Sequence, residues 1–136
     1  MADALQETFE RESAFPITDD PIGDLRTQMA AAAMVMRSPA GAMIRELLAD
    51  AQTDSETLDM FRKRFFERRR EQARQAIERG VASGALRADL DSATVIDLLY
   101  APIWLRLLTG HGSLTEPAID RIIDTALAGI AAFSAD

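Results

Sequence analysis

The chain has 136 residues, 48% hydrophobic and 27% charged, the balance of one globular domain and not of a disordered segment. With no cysteine and a single histidine, His111, it excludes disulfides, thiolate chemistry and a histidine metal cluster, and no metal or cofactor is expected. A formal net charge of -7 argues against nucleic acid as a direct partner of the chain as a whole.

Strand signals are absent, because β-branched and aromatic residues never alternate with polar ones over a useful length. The expected class is all-α, about six helices in one domain. The opening MADALQETFERES is acidic and amphipathic, with Leu5 and Phe9 at i, i+4, unlike the basic-then-apolar layout of a secretory signal. Pro16, Pro21 and Gly23 then mark a loop. A second helix is predicted from about Ile22 or Asp24 to Arg37, with Leu25, Met29, Ala32, Ala33 and Met36 on its apolar stripe. Ser38-Pro39 reads as a cap and first turn for a third helix to about Ala51, burying Met43, Ile44, Leu47 and Leu48.

Asp54 or Thr53 is expected to cap a long fourth helix reaching Ala82, inward at Leu58, Phe61, Phe65, Ala73, Ala76 and Ile77. Gly84 suits the left-handed position that ends it. The fifth helix, about 92–109, is apolar all round, and Pro102 inside it predicts a kink and frees the Leu98 carbonyl. The last helix, capped by Thr115, is expected to run to about Phe133 with two apolar rows. Two doubly apolar helices in so short a chain predict a homodimer built on a four-helix bundle, the alternative being that both are simply central in a monomeric bundle. The expected interface is Ile103, Leu107, Ile119, Ile122, Ile123, Ala126, Gly129, Ile130 and Phe133. No apolar run approaches the roughly 20 residues of a membrane span, so no membrane partner and a cytoplasmic location are the expectation.

From residue 74 the chain carries the pattern RQAIERGVASGALRADLDSATVIDLLYAPIWLRLLTGHGSLTEPAIDRIIDTALAGI. It resembles the C-terminal half of TetR-family (tetracycline-repressor-like) transcription regulators. Glu78, Arg79, Gly80, Gly84, Leu86, Arg87, Asp89, Leu90 and Asp91 match the end of that family's long helix and the link after it. Asp97, Leu98, Leu99, Pro102, Arg106, Leu107, Leu108, Gly110, Leu127 and Gly129 match its last two helices. DDPIGDLR and the SPAG restart fit its layout upstream. The resemblance implies an effector-binding and dimerisation domain of a repressor, paired as a homodimer. A small apolar or amphipathic effector would bind between the second, fourth and fifth helices and release operator DNA held by a helix-turn-helix head. Residues 1–13 resemble the helix leaving that head, here expected to be absent.

Met29, Met36, Phe61, Phe65, Tyr100 and Trp104 are the candidate effector contacts, although residues at helical spacing also serve as plain core. The arginine-rich run RKRFFERRREQAR is broken by acids at i, i+3 and i+4, such as Arg64–Glu67, Arg68–Glu71 and Glu71–Arg74, and reads as a solvated face, with an anionic effector or a contact with the head as the lesser alternatives. Asp19-Asp20, Asp89 and Asp91 read as helix caps, and His111 as a surface turn. No nucleophile elbow, phosphate loop or metal spacing is present, so no catalysis is expected. Two alternatives stand beside the regulator: a stand-alone helical interaction module without DNA binding, and a small helical enzyme using Tyr100, Arg106 and Asp97.

Overall fold

A computed structural model describes residues 2–130, and among them there are only helices and their connections. These are α1 (Ala2–Glu12), α2 (Pro21–Arg37), α3 (Pro39–Ala51), α4 (Ser55–Phe61), a π-helical turn (Arg62–Glu67), α5 (Arg68–Ala82), α6 (Ser92–Thr109) and α7 (Glu116–Ile130). Since α4, the π turn and α5 form one rod, the all-α reading with six helical rods holds.

The ends form for local reasons. Asp20 accepts from the Gly23 amide (3.0 Å) with Pro21 in the first turn, Asp54 accepts from the Glu56 amide (3.2 Å), and Asp91 from the Thr94 amide (3.3 Å). Ser38 departs from its expected capping role. Its hydroxyl turns back to donate to the Val35 carbonyl, closing α2 instead of opening α3. The corner is so tight that a Cβ on Gly41 would run into the Met36 backbone carbonyl. Gly84, at φ 82°, ends α5 in the expected left-handed conformation.

The π turn was not expected from the sequence, but a misfit in the apolar stripe announces it. At 3.6 residues per turn, Phe61 and Ala73 would lie about 120° apart around one α-helix, yet both are buried. The wider winding of the π turn absorbs the offset and returns the stripe to the core.

Helix α2 is the hub, packed against α1, α3, α5, α6 and α7. Its stripe is buried as predicted at Leu25, Met29, Ala32, Ala33 and Met36, but so are two polar residues, Asp24 and Gln28. Asp24 accepts from the Thr18 amide (2.8 Å) and hydroxyl (2.6 Å), and pairs with Arg79 of α5 at 3.2 Å. Across the same hub, Arg26 bridges Asp120 and Asp124, one turn apart on α7. Helix α6 is 18 residues long and, by length and composition, apolar enough to cross a membrane; it packs instead against α2, α3, α5 and α7.

Burial alone would push the Asp24 carboxyl up; the Thr18 hydrogen bonds and the Arg79 charge outweigh it and hold the group below the ordinary carboxylate value. That stabilisation is complete above the unfolded value near about 4 and is lost as pH falls through the folded one. Asp24→Asn is therefore expected to cost about 1–3 kcal/mol at pH 7. Urea melts of the two proteins at falling pH should show this gap closing in acid.

Candidate functional site

A cavity with a strongly apolar interior lies where the π turn and the start of α5 splay from α6. It measures about 360 Å³, at the small end of ordinary ligand sites. Phe66 and Trp104, both in its lining, stack on each other at 5.3 Å and 28°. Phe65 and Ala73 complete the α5 side, and Ile96, Ala101, Leu105 and Leu108 the α6 side. Its charged and polar groups are Arg69, Arg70, Asp97 and Tyr100.

Tyr100 donates its hydroxyl hydrogen to Gln28 Oε1, and Gln28 Nε2 donates to the Ser13 carbonyl at 3.3 Å. The Arg69 guanidinium donates to the same Ser13 carbonyl and to the Phe9 carbonyl (2.9 Å), with its carbon 4.5 Å from the centre of the Phe9 ring. Two cavity residues thus reach the C-terminal end of α1, one directly and one through Gln28. Burial pushes the Tyr100 phenol well above the ordinary tyrosine value, while the Arg69 charge pulls it back only in part. Burial also works against the charge on Arg69, with Glu10 opposing it from a distance.

Of the six candidate effector contacts, Phe65, Tyr100 and Trp104 line the cavity. Phe61 stands behind the wall, stacked on Phe65 at 5.1 Å and edge-on to Trp104 at 5.8 Å. Met29 and Met36 are instead buried in the core around α2. The second helix reaches the site through Gln28, a residue without an apolar signature. Phe66, Arg69 and Arg70 also line the cavity, outside those six contacts, because the π turn decides which residues of that rod face α6. The arginine run is not simply a solvated face. Of the predicted pairs only Glu71–Arg74 forms, at 2.5 Å; Arg64 reaches Asp3, Arg68 reaches Glu10 at 3.6 Å, and Arg70 reaches Asp97 at 2.7 Å.

The expected interface residues divide in two. Ile103, Leu107, Ile119, Ile123 and Ile130 are buried within the chain's own core, which leaves them no surface to offer. Ile122 and Ala126 are half-buried, Gly129 is exposed, and Phe133 lies outside the described residues. The apolar side chains that α6 leaves uncovered are Leu98, Leu105 and Leu108, 57%, 53% and 46% exposed. Of the three residues of the enzyme alternative, Asp97 and Tyr100 share the cavity but are taken by Arg70 and Gln28, and Arg106 lies outside it, its Nη1 donating to the Ser113 carbonyl at 2.8 Å.

Residues 15–126 match the family described as "Tetracyclin repressor-like, C-terminal domain". The chain belongs to that family. A Bacillus subtilis (strain 168) protein described as "Uncharacterized HTH-type transcriptional regulator YdeS" is 32% identical to this TetR-like domain over 135 residues, which is 99% of the chain and 68% of the relative. The crystal structure of the TetR family transcription regulator SCO0332 superposes with a TM-score of 0.84 at 30% identity, covering 94% of this chain and 72% of that one. These relatives are transcription regulators and not enzymes. Much of the TetR-like pattern is structural in this domain. Leu86 packs against Gly80, Arg87 pairs with Asp89 at 2.7 Å and reaches the Gly129 carbonyl at the end of α7, and Asp91 caps α6.

Tyr100 is the only tyrosine, so its ionisation can be followed alone. With its value raised in the fold, the phenol holds its proton past the ordinary range near about 10, and stability falls as pH rises beyond the unfolded value. A 295 nm titration should show no ionisation until the helices melt; a free transition near 10 with circular dichroism intact would contradict the buried hydrogen bond.

Proposed function

We propose that this TetR-like domain senses a small apolar or amphipathic effector in the α5–α6 cavity and pairs with a second copy of itself. The observation carrying the proposal is that α6 has three faces with three uses. Val95, Leu99, Ile103 and Leu107 enter the core, Ile96, Tyr100 and Trp104 line the cavity, and Leu98, Leu105 and Leu108 stand uncovered, the last two at the rim of the cavity. The uncovered stripe recurs at helical spacing, and a two-fold pair would cover it with the same stripe of a partner. With α7 it would form a four-helix bundle whose contacts are Leu98, Leu105, Leu108, Ile122, Ala126 and Gly129.

In such a regulator operator DNA is held by a helix-turn-helix head preceding the domain, and α1 is the helix nearest to it. Arg69 and the Tyr100–Gln28 pair tie the cavity to the end of α1. An effector favouring one arrangement of these contacts shifts the balance between DNA-bound and released forms by its difference in affinity for the two. The protein acts in the cytoplasm, and its activity is regulation, not catalysis.

Pairing is read by sedimentation equilibrium. A dimer is expected at micromolar concentration, and Leu98→Glu with Leu105→Glu should give a folded monomer, since both side chains leave the core untouched; a wild-type monomer at high micromolar concentration rejects the pairing. Sensing is read through Trp104, the only tryptophan. Metabolites that raise the melting temperature should also move its emission, whereas stabilisers that leave it unchanged place the effector elsewhere.

A further inference from the structure

The charge inventory of the cavity is unbalanced. Asp97 on the rim is taken by Arg70 at 2.7 Å, and Glu10 on α1 is taken by Arg68 at 3.6 Å and by the Gln6 amide at 3.2 Å. Asp3 pairs with Arg64, and Glu71 pairs with Arg74. Among the described residues no carboxylate lies within ion-pairing distance of Arg69. This half-buried guanidinium has only the Phe9 and Ser13 carbonyls and the face of the Phe9 ring for company. Buried charges are ordinarily paired with opposite charges, because neutral acceptors return only part of the lost hydration. Beside this cation the walls are almost wholly apolar and aromatic, with Phe66 and Trp104 stacked and Phe65 behind them.

Resting on the reading of this cavity as the effector site, we infer that its ligand is an amphipathic monoanion, a carboxylic acid with a compact apolar body. The body would lie against Phe66 and Trp104, and the carboxylate would face Arg69. A guanidinium presents planar N–H donors that match a carboxylate, and such charge-assisted hydrogen bonds are roughly twice as strong as neutral ones. A cation would meet Arg69 with like charge, a zwitterion would bring an ammonium group into a cavity whose one carboxylate, Asp97, is taken by Arg70, and a neutral apolar molecule would leave the imbalance in place. The cavity volume of about 360 Å³ suits a short-chain or single-ring acid better than a long lipid.

The test compares octanoate with octanamide, equal in length and both transparent where tryptophan absorbs, by titration of Trp104 emission in the full chain at pH 7. Octanoate should bind at least tenfold more tightly than octanamide. Arg69→Met should abolish that preference, bringing the two affinities together, and Arg69→Lys, which keeps the charge, should preserve a preference. The lysine variant also serves if the methionine variant loses helicity. Equal binding of the two compounds to the wild type overturns the anionic assignment and leaves the cavity as an apolar effector site. A preference that survives Arg69→Met overturns the role of Arg69. Failure of both compounds to move Trp104 emission overturns the assignment together with the cavity reading beneath it.

Discussion

The structure depends on two buried polar side chains one turn apart on α2. Asp24 holds Arg79 and so locks α2 to α5, while Gln28 sits between the Tyr100 hydroxyl of α6 and the Ser13 carbonyl at the end of α1. A hub helix with only apolar contacts could settle against its neighbours in several registers, because apolar packing is non-directional. Hydrogen bonds in a low-dielectric interior are directional, and costly to leave unmade. These two residues therefore set how α1, α5 and α6 sit around α2, and with that the opening between α5 and α6.

The π turn is the second element of that arrangement. By taking up the offset between the stripes of α4 and α5 it keeps Phe61 and Phe65 in the core while Phe66 stacks on Trp104 in the cavity wall. One rod thus serves core and cavity at once. The same turn sends the arginines outward to different helices, Arg64 and Arg68 to α1 and Arg70 to α6. What the sequence presents as one charged face is in the fold a set of separate ties. These exposed pairs contribute little stability each, and their effect is on the orientation of the rod.

The cavity and the uncovered stripe are joined through α6. Ala101, Leu105 and Leu108 belong to the rim of the cavity and to the outer face of the helix together. In the proposed pair, anything that moves α6 would be felt by the effector and by the partner copy. At the opposite wall Arg69 and Tyr100 lead to α1 through backbone carbonyls, so the cavity stands between the uncovered stripe of α6 and the end of α1.

The sequence by itself determined the class, the order of the elements and nearly all their ends, because caps, prolines and left-handed glycines act over a few residues and need no distant partner. It also carried the family pattern, whose glycines and charged residues have local structural work at the α5–α6 link. What it could not determine was which apolar residues of α6 and α7 face inward. Both helices are apolar on more than one side, and only the neighbours decide that Ile103, Ile119 and Ile123 are core while Leu98 and Leu105 are surface. The cavity was legible in part, through Phe65, Tyr100 and Trp104. Met29 and Met36 look equally suitable in sequence, but the packing of α2 draws them into the core. Asp24, Gln28 and Arg69 were hidden for the same reason: a polar residue's burial and partner depend on contacts 15 to 72 residues away, and no local pattern records them.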